Sequence, residues 1–468
     1  MPDMDFSEKG HHDVEGRPGH LGPNETPDDS HDAHDDHDHT AQSTDKDTDS
    51  ITSPSMTRQR TGWLAVGVTW GYLNSFGSFQ TYYEKTMPDI QPSTISWIGS
   101  LQIWLTMVGG IFTGRLLDAG FFLPTFFVGA VLQVLGMFLM SISKTYWQLM
   151  LTQGLLTGLG GGIFFTPSLA LVTTVSGGPS APELHGPPGF RETDLAQYFD
   201  KRRGLAIGIV TTGNSVGGII YPLVVRQLIP KVGFGWTTRV IAFINLACLC
   251  VCLAFMRPRL PPRKSGPLVD WSAFREPVFD LFVGGWWMVM WANYYTFYYI
   301  ASYGVQELGM SYSTASILVI ILNGAGAPFR VLIPMFSDRF GPLNIMIPAT
   351  LAWSIVAFCW LAVKSPGGMY AFAAVYGAAS GAFQCLLPTT VASITDRLDK
   401  VGTRMGMSFA LISFASMTGP PVGGALQSAD GGKFTGAQIW AACATIIGFV
   451  LIFGAKWARS GFDFRVKC

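Results

Sequence analysis

Few polar side chains interrupt the long apolar runs of this chain, and Arg330 is the basic one among them. A charged group inside an apolar run costs free energy unless it lines a cavity or finds a partner. An arginine in that position therefore predicts a site for an anionic ligand. The alternative is that its long side chain reaches the membrane surface, because Ser337 lies only about 10 Å further along a helix.

Neutral amides are the other polar groups within the runs, and one run also carries aromatic residues at helical spacing. Trp287, Trp291, Tyr294 and Tyr298 recur every three or four residues and so share one helical face. This face predicts either contact with a flat or amphipathic solute or a stripe facing lipid. The amide candidates are Asn74, Gln80, Asn214, Asn293, Asn323 and Gln384. We predict a substrate-binding set of Asn74, Asn293, Tyr294, Asn323, Arg330 and Gln384.

The composition indicates that membrane helices position these residues. Of the 468 residues, 49% are hydrophobic and only 13% are charged, about half the charged share of a soluble domain. Twelve apolar runs each approach the twenty or so residues that cross a bilayer. They are 62–84, 93–115, 121–142, 147–172, 204–228, 238–256, 278–301, 313–336, 343–363, 369–392, 405–427 and 437–456. We predict an all-α integral membrane protein with twelve transmembrane helices, and no Asp or Glu deep in a span for a proton to titrate.

Residues 1–59 are rich in Asp, His, Gly, Pro, Ser and Thr, and we expect a disordered tail. Four of its histidines alternate with aspartates between His31 and His39, a composition that either binds zinc or copper loosely or simply forms a solvated acidic tail. We expect no cofactor and no metal site in the helical part.

Positive charge orients the predicted helices. With the tail inside, Lys and Arg concentrate in the inner segments, and the outer segments hold six: Lys85, Lys144, Lys231, Arg239, Lys364 and Lys433. Because positive loops stay inside, both termini are expected in the cytosol of a multi-pass cell-membrane protein. The expected parts are a bundle at 60–256, a linker at 257–277, a second bundle at 278–457 and a cytosolic tail at 458–468.

An internal repeat relates the two bundles. The sequence GRLLDAG follows the second run, and SDRFG follows the eighth. Two pseudo-symmetric six-helix bundles are typical of a transporter that rocks around a site at their interface. Helix-end charges able to exchange partners during that motion predict gating residues, namely Arg115, Asp118, Asp338 and Arg339.

The repeat also exposes a surplus in the first half. Residues 175–197 form a Gly- and Pro-rich stretch without helical pattern, and deleting them joins Thr174 to Tyr198. This stretch is either a cytosolic loop or the translation of a retained intron. Reads of the transcript distinguish the two.

The motifs GLLTGLGGGIFFTPSLALV, YFDKRRGLAIGIVTTGNSVGG, GRLLDAG and FMRPR resemble the major facilitator superfamily, specifically its fungal monocarboxylate porter branch. The resemblance implies the major facilitator fold, alternating access, and transport of small carboxylates, often with a proton. Animal members use a helix-one Lys, a helix-four Arg, and an Asp four residues before an Arg in helix eight. Only that last Arg is retained, as Arg330; Gly326 and Gly154 stand at the acid and helix-four positions, and the helix-one region reads NSFG.

Together, these features predict a secondary transporter that moves a small organic anion or an amphipathic secondary metabolite, including one that exports a natural product. The alternatives are a vitamin or carboxylate uptake facilitator and a non-transporting membrane sensor. No Ser/His/Asp arrangement or phosphate loop predicts an enzyme. The expected partners are a small-molecule substrate and the lipid bilayer, with no nucleic acid and no obligate protein partner.

Overall fold

The computed structural model describes residues 61–174, 203–256, 268–397 and 400–461, together with Asp463. All of them belong to one compact unit, Thr52–Cys468. The tail 1–59, the stretch 175–197 and most of the linker lie outside the described residues. Within the described ranges the regular structure is helical, and no strand occurs.

Six helical segments make up the described part of the first half. Helix α1 spans residues 61–86 and includes a π-helical stretch, Gly67–Gly71, followed by Tyr72–Asn74 and Phe76–Thr86. Helix α4 comprises Tyr146–Leu149, a π-helical stretch Met150–Leu156, and Thr157–Thr174. The others are α2 (Pro92–Asp118), α3 (Phe122–Met140), and α5 and α6, which share Arg203–Phe255 and separate at Gly233, where φ is 77°.

The described part of the second half also contains six helices. Its helices are α7 (Pro277–Gln306), α8 (Tyr312–Phe340), α9 (Pro342–Cys359), α10 (Pro366–Gln384, resuming as Leu387–Ile394), α11 (Val401–Ala429) and α12 (Thr435–Ser460). The sequence explains several boundaries. Ser311 caps α8 by accepting the Thr314 N–H, Ser365 caps α10 by accepting that of Gly368, and Pro occupies the first turn of α7, α9 and α10. The predicted all-helical fold with twelve spans is confirmed.

Successive helices run in opposite directions, so loops alternate between two faces. We call the end at which α1 begins the tail face and the end at which it finishes the distal face. Among the residues that the structure describes, eight stretches are long and apolar enough to cross a membrane, and one of these, Gly208–Phe255, contains both α5 and α6. Helices α1 and α7, which are rich in aromatic residues, fall outside that count because their mean hydropathy is lower.

The helix contacts have a two-fold relation between the halves. Helix α1 packs on α5 as α7 packs on α11, and α2 packs on α4 as α8 packs on α10. Across the halves, α2 lies against α11 and α8 against α5. Large apolar side chains on outer faces stay exposed at a spacing of four residues, as Phe127, Val131 and Leu135 do on α3, which is the pattern of a surface that faces lipid.

Small residues form the seams within each bundle. A Cβ at Gly109 of α2 would lie 2.9 Å from the backbone of Gly162 on α4, and one at Gly326 of α8 would lie 2.9 Å from the Gly377 carbonyl oxygen on α10. Without side chains at these points the backbones approach closely, which replaces the hydrophobic driving force that is missing between helices in lipid.

A charged network on the tail face ties the segment before α7 to the start of α11. The Arg404 guanidinium contacts Asp270 at 3.0 Å and forms a bidentate pair with Glu276, while Lys400 lies 3.0 Å from Asp270. Burial opposes ionisation of Asp270, but hydrogen bonds from Ser272, Lys400 and Arg404 outweigh it and hold the pKa of this carboxyl well below its usual range. The ionised carboxylate is therefore part of the folded structure.

We expect Asp270→Asn to lower the thermal midpoint at neutral pH, because Arg404 keeps a buried guanidinium with a weakened partner; the loss corresponds to about 1–3 kcal/mol. A depressed pKa stabilises the fold above the unfolded value, about 3.9 for Asp, and this contribution disappears as pH falls below it. Scanning fluorimetry in detergent from neutral pH to about pH 3 should therefore show a smaller acid-dependent loss in the variant. The exposed Asp89, changed to Asn, is the control, and an unaltered midpoint in Asp270→Asn would contradict the assignment.

Candidate functional site

A polar cluster lies where the two halves meet, on helices α1, α5, α8 and α10. The Arg330 Nη2 donates to Gln384 Oε1 at 2.9 Å. With the amide of Asn214 oriented so that both its ends are satisfied, its oxygen accepts from Arg330 Nη2 at 3.0 Å and from Asn74 Nδ2 at 3.2 Å, and its nitrogen donates to the Trp70 carbonyl. One chain of hydrogen bonds thus joins Asn74, Asn214, Arg330 and Gln384 across the interface.

Interruptions of the helices lie beside two members of this cluster. Asn74 ends a short helical piece of α1, and Ser75 leaves the regular helix with ψ of −3°. Gln384 ends the first part of α10, before Cys385 and Leu386. Broken helices are tolerated at membrane depth where they border a cavity or are buried in protein, and they mark binding sites in transporters of inverted-repeat architecture.

Arg330 is buried, with 4% of its surface exposed, and does not reach the membrane surface. Its hydrogen-bond partners are neutral amides, and Nε has no partner. Among the ion pairs between described residues, none includes Arg330. Because neutral groups do not neutralise the positive charge of a guanidinium that is withdrawn from water, this guanidinium still attracts an anion strongly.

Further polar atoms of the cluster, and one in the preceding turn of α1, also lack partners. Gln384 Nε2, Asn74 Oδ1 and, one turn before Asn74, the Trp70 indole Nε1 are buried and make no hydrogen bond within the structure. Tyr294 of α7 is buried and interacts electrostatically with Arg330. Because buried polar groups in folded proteins usually have partners, the unsatisfied amide atoms on residues joined to this cation are available to a ligand.

Three residues of the predicted substrate set lie apart from this chain of hydrogen bonds, namely Tyr294, Asn323 and Asn293. Asn323 donates to the Val319 carbonyl of its own helix at 2.9 Å, and its side chain lies against Gly218, where a Cβ would overlap it. Asn293 is fully buried; its nearest polar neighbour is Met290 Sδ at 3.9 Å, and its Oδ1 has no partner.

The aromatic face of α7 divides along its length. Tyr294 and Tyr298 are buried, whereas Trp287 and Trp291 are half-buried, with ring centroids 5.2 Å apart and ring planes tilted by 41°. The stripe is therefore not uniformly turned to lipid.

The predicted gating residues lie at the tail ends of α2 and α8. Helix α2 extends through Arg115 to Asp118, whose side chains lie outside the described part of the structure. On α8, Asp338 is half-buried, and the exposed Arg339 places its guanidinium 5.6 Å from the Phe340 ring centroid.

On the distal face the two halves are in close contact. Thr81 of α1 lies 3.1 Å from Ser302 of α7, hydroxyl to hydroxyl, and the Tyr312 hydroxyl of α8 donates to the Ser78 carbonyl at 3.0 Å. Arg226 of α5 donates to the Ser313 carbonyl at the start of α8, at 2.8 Å. These contacts close the distal side of the interface above the polar cluster.

Sequence reasoning missed part of this arrangement. Asn214 was recognisable as an amide within an apolar run, but nothing in its own run assigns it to Arg330. The Trp70 indole carries no sequence signal that separates it from packing aromatics. Glu84 reads as a helix-end charge beside Lys85, and it does lie at the distal end of α1, but the structure packs it against α7, a contact that its sequence context does not indicate.

The described residues form two related groups of six helices with an outer surface that faces lipid. A polar cluster lies between the two groups. This architecture is that of a multi-pass membrane transporter. The model of the Major Facilitator Superfamily matches residues 59–347 and 306–461. The chain therefore belongs to the Major Facilitator Superfamily.

Fungal proteins are among its relatives. An MFS-type transporter of Gibberella zeae is 39% identical over 83% of this chain and 83% of its own length. An aspyridones efflux protein of Emericella nidulans is 30% identical, over 83% of this chain and 74% of its own. An agnestins efflux protein of Paecilomyces divaricatus is 31% identical, over 82% and 83% respectively.

Proposed function

We propose that this transporter exports an anionic or amphipathic secondary metabolite across the plasma membrane by alternating access. The observation that carries the proposal is the buried guanidinium of Arg330, which lies between the halves and is bonded to neutral amides. A carboxylate or acidic phenol on the substrate supplies the missing anion, and bidentate geometry makes arginine suited to a carboxylate. Efflux is favoured because two relatives are named as efflux proteins.

The remaining assignments fit this proposal. Asn74, Gln384 and Tyr294 hold the polar part of the substrate with Arg330, and Asn293 and Asn323 contact its further parts once the halves move. Arg115, Asp118, Asp338 and Arg339 are proposed to exchange partners on the tail face. The bundles 60–256 and 278–457 rock as units, both termini lie in the cytosol, and the distal face lies outside.

The monocarboxylate-porter-like branch is part of the proposal, on the motifs of helices α4 and α5. Of the charged positions that animal members use, this chain retains only Arg330. The proposed substrate therefore needs to share only its acidic group with a small monocarboxylate, and its larger part contacts aromatic side chains such as Tyr294.

Metabolite distribution tests the function. Culture medium and cell extract from the source organism and from a strain lacking the gene are compared without a chosen target. We expect one family of acidic, amphipathic compounds to fall several-fold in the medium and to accumulate in the cells, because diffusion of an anion across lipid is slow. Reintroducing the wild-type gene restores the distribution. Depletion inside the cells instead would indicate uptake, and no redistributed compound would contradict transport of a metabolite.

A further inference from the structure

A carboxyl group is built into the closed distal side of the interface. Glu84 lies in the last turn of α1, and its Oε2 accepts from Ser302 Oγ of α7 at 2.7 Å and from Gln306 Nε2 at 3.4 Å. Its Oε1 accepts from Gln80 Nε2 at 2.7 Å. Helix α1 belongs to the first half and α7 to the second, so one carboxyl group bridges the two bodies that must separate when the distal side opens.

Among the described residues, no cation forms an ion pair with Glu84, whose side chain is half-buried. Tyr295 and Tyr299 of α7 are the titratable groups that interact with it electrostatically. Lys85, next to it on α1, and Glu307, directly after the end of α7, are exposed. Withdrawing a carboxylate from water costs free energy when only neutral donors replace the solvent.

The neighbouring hydroxyl groups accommodate a proton without rearranging the helices. Ser302 Oγ lies 3.1 Å from Thr81 Oγ1, and Thr81 Oγ1 donates to the Gly77 carbonyl at 3.0 Å. When Glu84 is ionised, Ser302 donates to it. When Glu84 is protonated, the new O–H donates to Ser302, and the Ser302 hydrogen turns to Thr81. Every hydroxyl keeps a hydrogen bond in either case.

We propose that Glu84 is a proton-binding site and that a proton taken from water on the distal side stabilises the closed distal interface. In the closed state the carboxyl group is packed between α1 and α7, where the neutral acid avoids the cost of burying a charge. When the halves separate, water solvates the group and the proton leaves to bulk solvent as the O–H bond breaks. Opening is thereby linked to proton release, and this link rests on the alternating access of the proposed function.

A conformational measurement without substrate tests the site. Lys144 and Lys364, exposed on the distal face in different halves, are each replaced by Cys in full-length protein whose native cysteines are changed to Ser. Spin labels at the two positions report the distal opening in lipid nanodiscs between about pH 5 and pH 8. In this labelled parent protein, without any further substitution, we expect the population with the longer distance between the two labels to grow as pH rises.

The variants give distinct outcomes. Glu84→Gln, which imitates the neutral acid, is expected to keep the short distance throughout the range, and Glu307→Gln, which changes an exposed carboxyl of the same face, to follow the parent. Ser302→Ala removes the hydroxyl used in both proton arrangements and should favour the open form at every pH. A Glu84→Gln protein that retains the parent's pH dependence, or a parent without any, would overturn the proposal. The result is independent of whether a metabolite is exported.

Discussion

Replacing Arg330 with glutamine is expected to reduce transport of an acidic substrate by about 10-fold or more while leaving the substrate-free protein at least as stable as the parent. The guanidinium is buried and hydrogen-bonded to Gln384 and Asn214, which are neutral. A buried charge without an opposite charge is destabilising, so its removal relieves a cost in the substrate-free state. Loss of a hydrogen bond to a charged group weakens binding by about 1.5–3 kcal/mol, or about 10- to 150-fold.

Two measurements separate a binding role from a structural one. Transport of the identified metabolite into vesicles should fall at least about 10-fold in Arg330→Gln, while the thermal midpoint in detergent stays level or rises. Arg330→Lys keeps the charge but loses the planar fork, and an intermediate transport rate is expected. Arg239→Gln is the matched control, because Arg239 bonds to Ser141 and lies 4.9 Å from the Trp236 ring centroid, away from the interface. Unchanged uptake kinetics in Arg330→Gln would remove the residue from the site.

A methyl group at Gly77 is expected to hold the distal side of the transporter open. A Cβ there would overlap the Phe297 carbonyl oxygen on α7, and that oxygen belongs to the backbone of the other half. The helices must separate to admit it, and overpacking of this kind costs about 1–3 kcal/mol. The closed-to-open ratio on the distal side should therefore fall about 5- to 150-fold in Gly77→Ala.

The same pair of labels at Lys144 and Lys364 measures this shift, and transport should slow with it. Gly284→Ala on α7 is the tolerant control, since the nearest atom to its Cβ is Leu451 Cδ1 at 3.8 Å. Gly71→Ala provides a second comparison: its Cβ would overlap Gly217 of α5 within the same half, so it should lower the thermal midpoint without favouring the open form. If Gly77→Ala closes as readily as the parent, the α1–α7 contact is not part of the gate.

The sequence predicted the helices well, because each span must be long and apolar on its own. The division of 203–255 at Gly233 also follows from local chemistry, since a φ of 77° suits glycine. The stretch 175–197 and the tail 1–59 lie outside the described residues, so the loop and intron hypotheses both stay open.

The site was predictable only in part. Arg330 and the amides were recognisable one at a time, since a polar side chain in an apolar run is rare. Their pairing was not, because Arg330 and Gln384 are 54 positions apart and Glu84 and Ser302 are 218 apart. Such contacts depend on how the two halves meet, and the apolar pattern of a single helix does not encode that geometry. Glu84 illustrates the limit: beside Lys85 it looks like a solvated helix end.

The π-helical stretches of α1 and α4 affect how helices α1 and α4 tolerate insertions and deletions. A π-helical turn accommodates one residue more than the regular helix, and both stretches, Gly67–Gly71 and Met150–Leu156, precede residues that face the interior. Losing a single residue there would therefore restore ordinary helical winding while the downstream side chains keep their faces, whereas the same loss from a regular turn would rotate those side chains by about 100° around the axis. Single-residue deletions within the two π-helical stretches should accordingly be tolerated better than a deletion in the regular turn of α1 before Gly67, which would move Asn74 away from Asn214 of α5.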